Sequence, residues 1–264
     1  MPVTTGKSII IYKQTSEVTK YMDNKSSEIR IQKYFSDLGI MSRRAAEAEI
    51  EKGTITVNGK RATLGQKIVP GKDIVLYNDT LIGDDRPVEK IYIMFNKPRG
   101  VITSLSDECG RRCISDFTAD IPERVYPVGR LDYNSDGLLI LTNDGEFANL
   151  LTHPKHDIPK IYLVKVSGQV ADTQLKKLTS PMTIDGYRLE PVGCIIESVT
   201  ETSTVLRFTL HEGRNRQIRK MCEKVGLRIL RLKRVAIGKV ELGELPGGKW
   251  RMLTAKEIAY LTKK

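Results

Sequence analysis

The sequence predicts an α+β fold in which a small helix-and-hairpin unit precedes a larger domain with a mostly antiparallel sheet. Apolar strand patterns in the larger domain are separated by turn signals, and many connections between them are short and hairpin-like. Helical periodicity recurs between these strands. The strand patterns lie at 91–95, 125–128, 138–142, 161–167, 192–199 and 203–210, and the helical patterns at 145–152, 171–179, 215–225 and 254–262.

The first unit is predicted over residues 28–85, and a mixed polar stretch at 1–27 precedes it as an expected disordered extension. Ile29, Tyr34 and Leu38 favour one helix ending near Gly39. Ser42 is typical of an N-cap, and a second helix runs from it to Gly53. Further along the chain, a strand at 54–57 enters a tight Asn58-Gly59 turn and another strand follows at 73–77. Residues 83–87 are interpreted as a linker, and the second domain is predicted over 90–264.

Length and composition limit the class of protein. The chain has 264 residues, of which 40% are hydrophobic and 28% charged, as in a soluble globular protein. No apolar run approaches the roughly 18 residues that a membrane span requires. No signal-peptide pattern is present, and Glu17 and Asp23 argue against a transit peptide. The expected location is the cytoplasm.

Positive charge is concentrated at one end of the chain. The formal net charge is +11, and residues 206–264 contain 16 Lys or Arg against 5 acidic residues, which accounts for the whole excess. Such a concentration favours a polyanionic partner, because neutralised phosphates release their counterions. A merely solvated basic face is the alternative that composition leaves open.

The cysteines and histidines do not form a recognisable metal motif. Cys109 and Cys113 have a Cys-x3-Cys spacing, but no second Cys/His pair stands at matching spacing. We therefore expect reduced structural cysteines and no metal.

The segment 129–145, GRLDYNSDGLLILTNDG, places an aspartate where a catalytic group could lie. Asp132 lies in a polar loop that joins two strand patterns, and loops held by a rigid sheet are common positions for catalytic groups. Asp136 and Asp144, each followed by Gly, fit turn positions. Taken alone, Asp132 also fits a turn or cap.

Four segments of the second domain resemble the motifs of the RsuA/RluB-type pseudouridine synthases, in the same order. They are GRLDYNSDGLLILTNDG, FNKPRGVITSLSDECGRR, HPKHDIPKIYLVKV and HEGRNRQIRKMCEKVGLRILRLKRVAIG. The segment LGIMSRRAAEAEIEKGTITVNGKRA resembles an S4-like RNA-binding domain. Together these resemblances span about residues 28–258. They imply an enzyme that isomerises uridine in RNA to pseudouridine without a cofactor.

The resemblance assigns three catalytic residues. Asp132 matches the aspartate that attacks ribose C1′ or otherwise promotes cleavage of the C1′–N1 bond. Tyr162 matches a tyrosine that stacks on the target base, and Arg219 matches an arginine that pairs with the aspartate. Ile161 and Cys222 depart from the residues most common in the family, and Lys220 stands where Arg is frequent. The target base must leave its stack to reach Asp132, so base flipping is expected.

Basic residues of both domains are predicted to bind RNA. Those of the first domain lie at a helix N-terminus, which favours phosphate, and beside the hairpin turn. The RNA-binding residues predicted in the two domains are Arg43, Arg44, Lys60, Arg61, Arg130, Lys160, Arg214, Arg216 and Lys220.

Three other functions were weighed. A non-enzymatic RNA-binding or ribosome-assembly protein would require the loss of Asp132, Tyr162 or Arg219, and all three are present. An S4-bearing methyltransferase or a dinucleotide oxidoreductase would need a Gly-rich cofactor loop, which residues 90–264 lack. The expected substrate is structured ribosomal RNA, with the large subunit favoured over the small one, and the expected state is a monomer.

Overall fold

The computed structural model describes residues 28–83 and 88–263, which form two compact units. The first contains 28–36 and 41–83, and the second contains 37–40 and 88–263. The predictions for residues 1–27, and for most of the linker at 83–87, fall outside the described residues. Among the helices of these two ranges, none has the length and apolarity needed to cross a membrane.

The first unit packs two helices against short antiparallel strands. Its four-stranded sheet has the order β3-β2-β5-β6, and β1 pairs with β4 separately. The elements are β1 (Ile29–Arg30), α1 (Ile31–Asp37), α2 (Arg43–Lys52), β2 (Ile55–Val57), β3 (Lys60–Arg61), β4 (Lys67–Ile68), β5 (Val75–Tyr77) and β6 (Thr80–Ile82).

Local chemistry explains how α2 and the following hairpin form. The Ser42 hydroxyl accepts a hydrogen bond from the Ala45 amide at 3.1 Å, which satisfies an otherwise free N–H of the first turn. Gly53 ends the helix in the left-handed region, at φ 76°. Asn58 and Gly59 both have positive φ, as a two-residue hairpin turn of type I′ requires. These predicted features are confirmed, but Ile29 lies in a strand paired with Ile68 rather than in the first helix.

The second unit contains a nine-stranded sheet with helices and loops packed on it. Its strands are β7 (Tyr92–Lys97), β8 (Tyr126–Val128), β9 (Asp136–Thr142), β10 (Lys160–Ser167), β11 (Thr183–Ile184), β12 (Tyr187–Arg188), β13 (Gly193–Val199), β14 (Ser203–Leu210), β15 (Ile229–Ile237), β16 (Val240–Glu241) and β17 (Trp250–Met252), with β11 and β12 forming a separate hairpin. Its α-helices are α3 (Gly145–Thr152), α4 (Asp172–Thr179), α5 (Gln217–Lys224) and α6 (Ala255–Thr262).

The large sheet confirms the predicted α+β class with mostly antiparallel pairing. Its main order is β13-β14-β10-β15-β9-β7-β17, and the only parallel pair within it, over the described residues, joins β15 to β9. Strand β15 was not predicted, although it is nine residues long and central. In the sequence, its basic residues indicate a polyanionic partner and not a strand.

Strand β9 organises the centre of the sheet. One edge pairs with β7, and the other edge pairs with β8 at 140–142 and with β15 at 136–137. The loop 129–135 leaves β8 and enters β9 at this junction, so the sheet fixes both of its ends. Gly137 permits the close approach of β15, because a Cβ there would lie 2.1 Å from the Arg234 carbonyl oxygen. The fold thus requires glycine beside the loop that contains Asp132.

Candidate active site

A cleft of about 620 Å³ opens in the second unit where the 129–135 loop, β10, β15 and the start of α5 meet. Its walls include all three predicted catalytic residues, Asp132, Tyr162 and Arg219. The predicted RNA-binding residues of this unit that line it are Arg130, Lys160, Arg214 and Arg216. Residues more than 80 positions apart in the chain are therefore brought to one concave surface, the usual form of a small-molecule or catalytic site.

The loop that contains Asp132 is held by hydrogen bonds on both sides of the aspartate. The Thr103 hydroxyl donates to the Leu131 carbonyl oxygen at 2.7 Å and accepts from the Leu131 amide at 3.2 Å. The Gly100 amide donates to the Tyr133 carbonyl oxygen at 2.8 Å, and the Ser135 amide donates to the Asp132 carbonyl oxygen at 3.0 Å. The 97–103 loop therefore positions the aspartate backbone, a role that the sequence did not reveal for Thr103.

The Asp132 carboxylate faces two guanidinium groups. Its Oδ2 lies 3.6 Å from Arg219 Nε and 3.8 Å from Arg216 Nη1. Both distances exceed that of a good hydrogen bond, so the two cations lie beside the carboxylate without saturating its oxygens. The side chain remains about one-third exposed. An anionic, accessible oxygen is what nucleophilic attack on an electron-poor carbon requires.

Arg219 joins helix α5 to the 129–135 loop. Its Nη2 donates to the Asn134 carbonyl oxygen at 2.9 Å and to the Ser135 hydroxyl at 3.0 Å, while Nε is buried beside Asp132. Burial lowers the pKa of Arg219, and Asp132 opposes this decrease. Because guanidinium is a very strong base, the group stays charged and fixes the aspartate side chain relative to α5.

Arg216 occupies an unusual backbone conformation. It is the N-cap residue of α5 and has φ 54°, in the left-handed region that non-glycine residues seldom adopt. It therefore precedes the helix, whereas the helical pattern at 215–225 predicts that it lies within the helix. The turn is supported by Gln217, whose side chain accepts from the Arg214 amide and donates to Glu212. Strained residues of this kind concentrate at functional sites.

Tyr162 and Lys160 both line the cleft from strand β10, as their two-residue spacing predicts. The Tyr162 ring is partly buried and packs against apolar residues of two core clusters. Burial, and secondarily the charge of Arg234, lowers the pKa of Lys160. This part of the cleft combines an aromatic face with closely spaced cations.

Arg234 lines the same cleft and was not singled out as a site residue by sequence reasoning. It is 5% exposed, and its Nε donates to the Leu138 carbonyl oxygen at 2.7 Å. Its Nη1 lies 3.5 Å from the Tyr162 hydroxyl oxygen. The surrounding sequence LRLKRVAIG contains three basic residues in nine positions, so nothing local distinguishes the buried arginine from the exposed ones.

Two buried charged groups lie close to the 129–135 loop. Asp136 is the first residue of strand β9 and forms an ion pair with Arg231 at 2.6 Å. Its interpretation as a turn residue is therefore wrong. Lys97 is fully buried and donates to the carbonyl oxygens of Pro98 and Val101. Burial lowers the pKa of Lys97 to about 8, while Asp136 and Asp132 oppose the decrease.

The β11–β12 hairpin is fastened to helix α5 and contributes Tyr187 to the cleft. The Lys220 ammonium forms an ion pair with Asp185, and Lys224 donates to the Thr183 carbonyl oxygen at 2.8 Å. The Arg214 guanidinium lies over the Tyr187 ring. Lys220 does not line the cleft, so its predicted contact with phosphate stays a prediction, whereas its contact with the hairpin is structural.

The predicted RNA-binding residues of the first unit are all exposed. Arg43 and Arg44 lie in the first turn of α2, whereas the Arg61 guanidinium lies beside Gly53, at the other end of that helix. A helix of this length spans roughly 15 Å. The two basic groups are therefore separated, and they would contact different phosphates.

No cluster of three or more His, Cys, Asp or Glu side chains that could hold a metal ion occurs within residues 28–83 and 88–263. Cys109 is exposed, and Cys113 is buried. Burial raises the pKa of the Cys113 thiol, which disfavours the thiolate that metals bind.

Comparison with known proteins assigns each of the two units to a family. The second unit matches the family described as RNA pseudouridylate synthase over residues 91–224, and the first matches the S4 domain over residues 29–75. The chain therefore belongs to the RNA pseudouridylate synthase family and has an N-terminal S4 domain, which confirms the resemblance found in the sequence.

Similar proteins support this assignment over nearly the whole chain. An uncharacterized RNA pseudouridine synthase of Aquifex aeolicus is 42% identical, covering 89% of this chain and 94% of the relative. Ribosomal large subunit pseudouridine synthase B of Bacillus subtilis is 41% identical, covering 88% of this chain and 95% of the relative. A solved structure described as a pseudouridylate synthase is 28% identical, with a TM-score of 0.64, and covers 89% of this chain and all of that chain.

Proposed function

We propose that this pseudouridine synthase isomerises a uridine of large-subunit ribosomal RNA, with Asp132 as the nucleophile. The observation that carries the proposal is the Asp132 carboxylate, partly exposed in the cleft and within 3.8 Å of two guanidinium groups. The Bacillus subtilis relative, 41% identical, is named for the large ribosomal subunit, which supports the same class of substrate here.

The reaction begins with cleavage of the bond between ribose and base. Asp132 attacks ribose C1′, and the electron pair of the C1′–N1 bond remains on the uracil, which becomes an anion. Arg219 and Arg216 pair with the carboxylate and orient it, and the hydrogen bonds of the 97–103 loop hold its backbone. The atoms are conserved, because the bond that forms to Asp132 replaces the bond that breaks.

The second stage joins the uracil to ribose through carbon. The detached base rotates on the face of Tyr162, and its C5 attacks C1′ while the Asp132 carboxylate departs with its bonding pair. The C5 proton is lost and N1 gains a proton, so substrate and product have the same composition. No oxidant, reductant or group donor enters this balance, so we expect no cofactor.

RNA binding is divided between the two units in this proposal. Arg43, Arg44, Lys60 and Arg61 contact phosphates of structured RNA, while the basic residues around the cleft hold the nucleotides beside the target. The flipped uridine alone enters the cleft. Arg130, exposed at the cleft edge, contacts RNA or supports the loop. We further propose that the protein acts as a monomer in the cytoplasm.

The nucleophile is tested by Asp132→Asn, which keeps the size of the side chain but removes its negative charge. Pseudouridine formation should fall to background under single-turnover conditions, while RNA affinity stays within several-fold of wild type. The matched control is Asp172→Asn, which removes an exposed carboxylate from the first turn of α4 and should retain full activity. Substantial product from the Asp132→Asn protein would exclude the nucleophilic role.

The substrate is tested separately, in cells that lack this gene. Mapping pseudouridines in their ribosomal RNA should reveal the loss of a large-subunit modification, restored by the wild-type gene and not by the Asp132→Asn variant. Loss from the small-subunit RNA alone would leave the reaction intact and overturn the proposed substrate.

A further inference from the structure

Arg234 is a buried cation without an anionic partner. It is 5% exposed, and no carboxylate lies within 4.0 Å of it among the described residues, in contrast to Arg219 and Arg231. Its Nη2 is buried and has no hydrogen-bond partner in the described part of the chain. A buried, unpaired charge and an unsatisfied donor both destabilise a protein, so such groups require an explanation.

The Arg234 side chain is nevertheless held firmly in place. Nε donates to the Leu138 carbonyl oxygen at 2.7 Å, and the strand register places Arg234 directly across from Tyr162. Side chains directly opposite on adjacent strands share one face of a sheet, and both of these line the cleft. Gly137 lets strand β9 approach the Arg234 backbone closely. The fold therefore presents a fixed guanidinium at the wall where the target base would lie.

We propose that Arg234 stabilises the negative charge that develops on the uracil when the C1′–N1 bond breaks. This inference depends on the proposed function above. The bound uridine base is neutral, and its oxygens become strong hydrogen-bond acceptors only as the bonding pair moves onto the ring. A preorganised donor that gains its partner during the reaction lowers the barrier selectively. A resident carboxylate would cancel this effect, which explains why none accompanies Arg234.

The position of Arg234 fits contact with the detached base better than contact with a phosphate. Flipping moves the base into the depth of a cleft while the phosphates remain on the backbone outside. Arg234 contacts Tyr162 and is nearly inaccessible, whereas the exposed Arg130, Arg214 and Arg216 are suited to phosphates. The acceptor is therefore a carbonyl oxygen of the detached uracil.

The experiment measures the single-turnover rate at which the target nucleotide is consumed by cleavage of its C1′–N1 bond, for wild type, Arg234→Met and Arg234→Lys. The RNA contains either uridine or 5-fluorouridine at the target position. Because fluorine replaces the C5 proton that must leave to give pseudouridine, consumption of the starting nucleotide is counted on both RNAs instead of pseudouridine. Removal of one preorganised donor typically costs roughly 100- to 1000-fold in rate, and a loss in this range is expected for Arg234→Met at saturating RNA. Arg234→Lys, which keeps the charge, should recover part of the rate. Lys233→Met, a charge removal on the opposite face of the same strand, is the matched control and should match wild type.

The comparison of the two bases separates charge stabilisation from a structural role. Fluorine withdraws electrons and makes the uracil a better leaving group that needs less help from the protein. The ratio of wild-type to Arg234→Met rate should therefore be smaller on 5-fluorouridine RNA than on uridine RNA. An equal ratio on both RNAs would overturn the proposal. If Arg234→Met fails to fold, the same ratio is measured with Arg234→Lys.

RNA affinity provides the remaining distinction. If Arg234 instead bound a phosphate, its replacement would weaken binding and flatten the salt dependence while leaving the saturated rate unchanged, and the proposal would be wrong. Failure of Asp132→Asn to abolish activity would overturn the proposed function itself. A normal loss with Asp132→Asn, together with an unchanged Arg234→Met rate, would overturn only the role of Arg234.

Discussion

The two units of this protein differ in how their predicted functional cations are placed: those of the first are exposed and, among the described residues, unpaired, whereas Arg219 of the second is mostly buried and paired. In the S4 unit, Arg43, Arg44 and Lys60 are exposed, and their side chains form no hydrogen bond or ion pair with the described residues. In the catalytic unit, Arg219 is mostly buried, bonded to the loop and paired with Asp132. Solvated charges attract a polyanion at little structural cost, whereas buried charges require partners and define geometry. The difference predicts that the first group governs affinity and the second governs rate.

Exchanging arginine for lysine should separate the two units most strongly, because we expect a large effect in the second unit and none in the first. Arg219→Lys keeps the positive charge but loses the planar group that contacts Asn134, Ser135 and Asp132 together. We expect a single-turnover rate lower by on the order of 100-fold, with unchanged RNA affinity. The matched double substitution Arg43→Lys/Arg44→Lys should change neither quantity measurably. A full rate for Arg219→Lys would mean that charge alone suffices in the cleft.

A second prediction concerns the energetic cost of burying charge in the catalytic unit. Lys97 has a folded-state pKa of about 8, below its usual 10.5. Between these values the unfolded chain binds more protons than the folded one, so this residue makes stability increase as pH rises. Below pH 8 the Lys97 ammonium is charged in both the folded and the unfolded state, and its burial destabilises the folded state by the full desolvation free energy. The free energy of unfolding of wild type relative to Lys97→Met should therefore rise by about 2 kcal/mol between pH 7 and 9.5.

Denaturant unfolding at several pH values measures this difference. Lys165→Met, which removes an exposed lysine of β10 by the same substitution, is the control. If the difference in free energy of unfolding between wild type and Lys97→Met stayed constant across this pH range, burial would not lower the pKa of Lys97.

A third, smaller effect is expected from the S4 unit. Replacing Arg43, Arg44, Lys60 and Arg61 together by Ala should raise the RNA concentration for half-maximal rate and leave the saturated rate nearly unchanged. Each lost phosphate contact reduces the slope of log affinity against log salt by roughly 0.7–0.9, so the slope should fall by about 3. Rate and affinity are titrated against RNA at several salt concentrations.

Removal of residues 1–85 should reproduce this result on short RNA. A truncated protein with unaltered affinity and salt slope would contradict the assignment of RNA binding to the first unit.

Much of the local structure could be predicted, because its causes are local. The Ser42 cap, the Gly53 terminus and the Asn58-Gly59 turn each depend on neighbouring residues. The predicted helix at 145–152 agrees with the structure at both ends. Asp132 was identified through a motif whose residues are consecutive.

The features that sequence reasoning missed depend on distant partners. Asp136 was interpreted as a turn residue because its ion-pair partner, Arg231, lies 95 positions away and is brought close only by the parallel β15–β9 pairing. Strand β15 was not predicted, because its basic residues indicate a polyanionic partner instead of a central strand. Arg234 differs from Arg231 only in the direction of its side chain and in its burial, neither of which composition reveals.

The smallest expected effect is that of metal removal, because the charges that hold Asp132 are supplied by arginine side chains. Cys109 is exposed, Cys113 is buried, and the described residues contain no third ligand grouped with them. Burial also raises the pKa of Cys113, which keeps the thiol protonated and a poor metal ligand. Protein dialysed against EDTA, without added nucleotide or adenosyl donor, should modify RNA at the undialysed rate. Activity that vanished on dialysis and returned with zinc would contradict this expectation, and a parallel Cys109→Ser/Cys113→Ser variant would determine whether that pair holds the ion.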